Sequence, residues 1–534
     1  MRSQRLLLSF IIGILGVLLL SITAWAGVLS GTIESSTAKK LVVKPSGDKP
    51  KQTFSISEDL SITIDGKAAK SSDLKVGQQV SVFTSTSGTV TKLVIRTSST
   101  GGPSSSPSTA EPKSEPKVSK SKKAEKTAEP SNDDSSSSNS GGSGDSPQFR
   151  GPRRDGHSDD GKIARSWTGQ GPRLDWNTPG LGEGYAAVSV SRGRIYSMGL
   201  LGNEEKVLAL DERTGRPQWG VSTGGDAFRE NMGNGPRSVP TVEGDRVYAM
   251  GCYGDLVCLD SKSGQRRWHK NILKEFGFRG RSITWGISES PLIDGDKVIV
   301  TPGGQDATMV ALNKNSGDVI WKANVPGNPG PSYASAITIE VGGVRQYVNF
   351  TARSVIGVRA SDGEFLWENR SAANGTANCS AALYHDNHLF YASGYGTGGA
   401  CLRLESNGNG TSAAELYKTR EMVNHHGGMV IVDGFLYGCD EKILTCLNVQ
   451  TGKAMWKDRS VGKGSITYAD GMLILRSEQG PVALIEANSS RYVEKGRFDQ
   501  PRRSEKPSWA YPVVANGKLL LRDLDNLLCY DLRR

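Results

Sequence analysis

A chain of 534 residues exceeds what one hydrophobic core supports, so two or more domains are expected. Aromatic residues make up only 7% while glycines number 65, a balance suited to many short strands and turns. The net charge of +10 is scattered, its lysine clusters lie around Lys117–Lys126, and no basic stripe with interleaved aromatics exists to hold nucleic acid. The chain opens with Arg2 and Arg5, an apolar run from Leu6 to Ile22, and Ala24-Trp25-Ala26. This is the pattern of a secretory signal peptide over residues 1–26, and the run is nearly long enough to span a bilayer, which leaves cleavage after Ala26 and retention as an anchor both open. In either form the basic flank stays inside and the bulk is exported to a periplasmic or other extracytoplasmic space.

Residues 27–98 read as a small all-β domain. Leu29–Ile33, Leu41–Lys44, Thr53–Ile56, Ser61–Ile64, Gln79–Phe83 and Thr89–Arg96 are short runs rich in Val, Ile, Leu and Thr, set apart by turns such as Asp65-Gly66 and Val76-Gly77. The phrase Asp73-Leu74-Lys75-Val76-Gly77-Gln78-Gln79-Val80 resembles one found in small OB-like barrels of exported bacterial proteins, and a ligand-free spacer is the expected role. Residues 99–147 are Ser, Pro, Lys, Glu and Gly with almost nothing apolar, which predicts a disordered linker.

Residues 148–534 carry a repeat. Ala209-Leu210-Asp211-Glu212-Arg213-Thr214-Gly215 is followed by Trp219, and the same phrase returns at Leu259…Gly264…Trp268, Leu312…Gly317…Trp321, Ala360…Gly363…Trp367 and Leu447…Gly452…Trp456. Upstream of these phrases lie tight turns between two apolar strands, among them Gly244-Asp245, Asp433-Gly434, Asp470-Gly471 and Asn516-Gly517. One repeat is thus a four-stranded antiparallel meander, the unit of a β-propeller blade. Innermost strands beginning near Ala186, Val239, Pro291, Ala334, Ser380, Met429, Ile466 and Pro512 predict eight blades. The last copy is one strand short, and Pro172–Trp176 is expected to complete it, closing the ring and removing its open edge. Leu404…Tyr417 and Leu484…Phe498 are degenerate copies. Cys258, Cys446 and Cys529 share one repeat position with Ala209 and Ala311, so a small buried side chain, not a disulfide, is expected there.

The Leu-Asp-x-x-Thr-Gly-x-x-x-Trp phrase resembles the repeat of the pyrroloquinoline-quinone (PQQ)-like β-propellers, and Gln148-Phe149-Arg150-Gly151-Pro152-Arg153-Arg154-Asp155-Gly156 is similar to the start of some exported bacterial members. The resemblance implies the fold. It also implies a choice between quinoprotein dehydrogenases, which hold PQQ with Ca²⁺ in the axial funnel, and the outer-membrane assembly propeller, which holds no cofactor.

Ligands of propellers sit at the mouth of the central channel, beside the segments leading into the innermost strands. Arg237, Trp285, Glu289, Tyr333, Asn378, His425, Lys463 and Trp509 are the candidate binding residues there. In a quinoprotein reading Trp285 would be the floor under the quinone, and Glu289 and Asn378 ligands of the ion. No Cys-Cys pair and no Asp base accompany them, so no catalytic or metal site is assigned. Of His425-His426, strand alternation predicts that only one faces inward. His385-x-x-His388 falls on a hairpin tip and is expected to be solvated, and Gly394-x-Gly396-x-x-Gly399 lies between strands, without the helix a dinucleotide site needs. The expectation is a monomeric, non-catalytic propeller that engages a protein or polymer of the cell envelope. A PQQ- and Ca²⁺-dependent dehydrogenase and a polysaccharide-binding module stacking sugars on Trp285, Tyr333 and Trp509 are the alternatives.

Overall fold

The computed structural model describes residues 27–37, 40–45, 50–56, 60–64, 67–84, 90–96, 144–280, 283–408 and 410–533. The N-terminal apolar run, the Asp65-Gly66 turn and most of the Ser/Pro-rich stretch lie outside them. No described helix is long and apolar enough to cross a membrane. The chain divides into two units, Met1–Ser131 and Asn132–Arg534.

In the first unit seven strands form one sheet in the order Gln52–Ser55, Lys40–Pro45, Gly27–Ser36, Gln79–Thr84, Val90–Arg96, Ser61–Ile64, Lys67–Ala69. Only the Ser61–Ile64 and Val90–Arg96 pair is parallel. Alternating side chains, among them Leu41, Val43, Val80, Val82, Leu93 and Ile95, make its core.

The second unit is an eight-bladed β-propeller: eight four-stranded antiparallel sheets, the last made of Val513–Ala515, Lys518–Asp523, Asn526–Asp531 and Arg173–Thr178. Trp176 pairs with Cys529 in that closing ladder, so the N-terminal strand completes the eighth blade as its spacing predicts. Eight apolar clusters hold the ring, one at each junction between neighbouring blades.

The repeat phrase has a local physical cause. Asp211 Oδ1 accepts from the backbone N–H and hydroxyl of Thr214, and Gly215 adopts a φ of 69°, turning the chain into the outermost strand. That strand places its aromatic opposite the small position of its neighbour: Trp219 faces Ala209, Trp268 Cys258, Trp321 Ala311, Trp367 Gly357, Tyr417 Cys401 and Trp456 Cys446. The cysteines are therefore small spacers under an indole or phenol ring. All seven in the chain are free. The turn glycine of the next blade then lies against that ring. A Cβ on Gly264 would come within 2.9 Å of the Trp219 ring, and Gly363 likewise meets Trp321 at 2.5 Å.

Blade seven has no Trp of its own, since Gly496 stands opposite Leu484. Trp167, from the segment before the closing strand, fills the gap, its backbone N–H donating to Lys495 O and its ring packing edge-on against Phe498 at 5.4 Å.

Candidate binding pocket at the mouth of the channel

In seven of the eight blades the residue four places before the innermost strand is Tyr185, Arg237, Ser288, Tyr333, Cys379, His425 or Trp509. Repetition of one backbone turn around the ring brings all seven to a single cavity of about 190 Å³ at one end of the central channel. Trp285, Tyr395, His426, Phe149, Arg150 and Tyr511 join them.

The floor comes from the chain itself. Residues 144–158 fill the channel, hydrogen-bonding to backbone groups or to Tyr511 from blades 1, 2, 3, 4, 6, 7 and 8, at Val190, Val242, Pro291, Ala336, Met429, Tyr468 and Val514 among others. Arg154, fully buried, donates to the carbonyls of Ser290 and Ala336 at 2.8 Å and of Pro291 at 3.2 Å, as well as to Gln148 Oε1. Arg150 donates to Met429 O, and its own N–H donates to Tyr511 Oη. Gly151 makes the sharp turn between them: its φ is 88°, and a Cβ there would lie 2.2 Å from His157 O.

The walls are aromatic. Tyr185 and Trp509 meet at a tilt of 39° with centroids 4.7 Å apart, Trp285 and Tyr333 at 48° and 5.6 Å, and Trp509 meets His426 at 5.0 Å. Arg237 lies over the rings of Tyr185 and Phe228 and gives two of its donors to Gly233 O and Gly235 O. Met232 and Tyr395, 50% and 44% exposed, form part of the rim. The Gly394–Gly399 loop thus serves to carry Tyr395.

Five of the eight sequence candidates line this cavity: Arg237, Trp285, Tyr333, His425 and Trp509. Lys463 stands behind it, its Nζ 3.0 Å from His425 Nδ1 and 3.3 Å from Glu478 Oε1. Glu289 and Asn378 are buried outside it. Glu289 accepts from Thr301 N, Thr301 Oγ1 and Asn349 Nδ2, tying the third blade to the fourth, and burial pushes its carboxyl up to about 7 in spite of these donors. Asn378 spends its amide on the Thr351 and Ala352 carbonyls and accepts from Asn374 N. Both His425 and His426 line the cavity, against the expectation of one, because they sit in a bend before the strand where alternation does not apply. His388 is buried against Asp386 O and not solvated as its turn position suggested.

Ca²⁺ requires six to eight oxygen ligands. The cavity lining contains no Asp or Glu, and the two side chains offered as ligands lie outside it, buried and hydrogen-bonded within the protein. The described residues hold no group of three or more His, Cys, Asp and Glu suited to a metal. The residues present do not fit a quinone–calcium centre.

Burial, with Lys463 beside it, lowers the His425 pKa from 6.5 to about 3, and burial lowers His426 well below 6.5 too. In the unfolded chain both titrate near 6.5. The unfolded state therefore binds more protons between these limits, and the stability that neutral histidines contribute is lost as pH falls below 6.5 towards 3. Unfolding free energy is expected to fall with a slope of up to about 1.4 kcal/mol per pH unit for each histidine. His425→Gln should flatten that slope in denaturant titrations at pH 4–7, and an unchanged profile would remove His425 as its source.

The family described as outer membrane protein assembly factor BamB matches residues 166–284 and 203–458. The outer membrane protein assembly factor BamB of Moranella endobia is 23% identical over 288 residues, covering 51% of this chain and 68% of that protein. A quinoprotein ethanol dehydrogenase of Pseudomonas aeruginosa is 35% identical over 106 residues, 20% of this chain. The chain spans only 16% of that dehydrogenase's length. Among solved structures, the quinohemoprotein alcohol dehydrogenase of Pseudomonas putida HK5 shares the fold with a TM-score of 0.51 at 15% identity, over 73% of this chain and 80% of that one.

Proposed function

Because this chain belongs to the PQQ-like repeat β-propeller family typified by the outer membrane protein assembly factor BamB, we propose that it is an exported, non-catalytic binding propeller that engages a protein or polymer partner of the cell envelope through the mouth of its channel. One observation carries this reading: the aromatic cavity is sealed at its floor by residues 144–158 and its lining contains no carboxylate. Such a site can hold a group presented from outside, but it offers no carboxylate ligands for a hard cation. The apolar, half-exposed rim residues Met232 and Tyr395 favour a contact with a larger partner at that end. The basic and apolar start of the chain supports an extracytoplasmic setting.

The test places a photo-crosslinking residue at Met232, on the rim, or at Leu416, 44% exposed on an outermost strand away from the channel. Adducts in intact envelopes are expected from Met232 and not from Leu416. Equal labelling from both would refute the docking face, and PQQ- and Ca²⁺-dependent oxidation of an alcohol by the purified protein would refute the non-catalytic reading.

A further inference from the structure

We propose that the pocket takes a single six-membered ring bearing a carboxylate, a deepening of the binding reading above on which it rests. Size comes first. A cavity of about 190 Å³ lies below the 300–1,000 Å³ typical of sites for larger organic ligands. It suits one ring. Two aromatic pairs in tilted contact, Tyr185 with Trp509 and Trp285 with Tyr333, supply apolar ring surface for such a ligand.

Charge selects the substituent. The lining holds two guanidiniums, Arg150 and Arg237, and no Asp or Glu. Arg150 is fully buried and contributes to the positive potential from the floor. Arg237 commits two N–H groups to the Gly233 and Gly235 carbonyls and takes part in no ion pair among the described residues. With the Cys252 thiol also beside its guanidinium, two of its five donors are left for an incoming acid, on a planar group that suits a carboxylate. The other nearby cation, Lys463, lies 3.3 Å from Glu478 and so adds little charge.

Two further buried polar atoms of the lining residues, Trp509 Nε1 and His426 Nε2, have no hydrogen-bond partner, and the second refines the ligand. Glu478 Oε1 lies 3.3 Å from His426 Nδ1, near enough to act through its charge but without a hydrogen bond. The carboxylate favours the proton on Nδ1, which makes Nε2 an acceptor for a ligand hydroxyl. A ring with an acid group and a hydroxyl satisfies both. A hexuronic acid, free or as a unit of an acidic polysaccharide, and a hydroxylated aromatic acid share this chemistry.

Titration of the full-length protein, read by tryptophan fluorescence and calorimetry, distinguishes the two. The probes are glucuronate and 4-hydroxybenzoate, each beside its neutral counterpart, glucose and 4-hydroxybenzyl alcohol. One acid is expected to bind about tenfold or more tightly than its counterpart, and which acid does so identifies the source. Arg237→Gln should abolish that preference, and Arg237→Lys, which keeps the charge but not the fork, should retain part of it. The proposal is overturned if neither acid exceeds its neutral counterpart, or if folded Arg237→Gln protein keeps the preference. Loss of acid binding alongside intact crosslinking from Met232 would discard the ligand class alone. Acid binding without any crosslink would discard the envelope partner instead.

Discussion

Replacing Arg154 with Met is expected to lower the unfolding free energy of the propeller by about 3–5 kcal/mol, the cost of stripping a buried charged donor from its acceptors. The guanidinium bridges Ser290, Pro291 and Ala336, carbonyls from the junction of the third and fourth blades, to Gln148 in the channel segment. Burial lowers its pKa only to about 10, so it remains charged at neutral pH. Met fills the space without donating, which leaves those carbonyls buried and unsatisfied. Arg154→Lys should be nearly as harmful, because one ammonium cannot reproduce a fork aimed at several carbonyls. Urea titration followed by tryptophan fluorescence measures the effect in the right unit, since every Trp but Trp25 lies in the propeller. A shift below about 1 kcal/mol would show that water replaces the lost donors and that the channel segment is not sealed.

The second large effect is expected at Trp321. Its indole is 8% exposed, faces Ala311 within its own blade, stacks on Tyr347 of the next and donates to Ala360 O. Trp321→Ala should cost about 3–5 kcal/mol, as large-to-small core replacements do. Trp321→Phe keeps a ring over Gly363 but loses the bond to Ala360, so roughly half that loss is expected. Trp456→Ala in the sixth blade serves as a comparison, its indole donating to Asn488 O in the same way. If the Trp321 variants were as stable as the parent, the blade junctions would have to draw their cohesion from elsewhere.

The architecture was legible because all blades but the seventh repeat a chemical constraint. A small residue under an aromatic, an Asx-capped turn and a glycine against the neighbouring ring leave fixed intervals in the chain. Ring closure could be read from a lone Trp176 at the right distance from its missing copy. The degenerate seventh blade was not legible in full: Trp167 stands outside the repeat, and nothing local announces that it packs above Gly496.

The site was legible by position more than by residue type. Segments leading to the innermost strands do converge, yet one step along the chain separates a cavity side chain from a buried tie. Hence Ser288 and Cys379 line the cavity while their neighbours Glu289 and Asn378 do not. Tyr185 was missed although it holds the same place in the first blade. The channel segment escaped for another reason. Its partners are mostly main-chain carbonyls of distant blades, which leave no trace in a pattern of side chains.

The stretch from Gly144 to Thr178 does three jobs: it fills the channel, lends Trp167 to the seventh blade and closes the eighth. It is made on the ribosome before any of the blades it serves. Until Asn526–Asp531 emerges, its strand has no ladder to join and its arginines have no complete ring of carbonyls to meet. Chain order thus sets the longest possible sequence separation on the contacts that matter most, a topology associated with slow acquisition of the native state. A polypeptide cut short anywhere before its last residues would leave both this stretch and the seventh blade with open, adhesive margins.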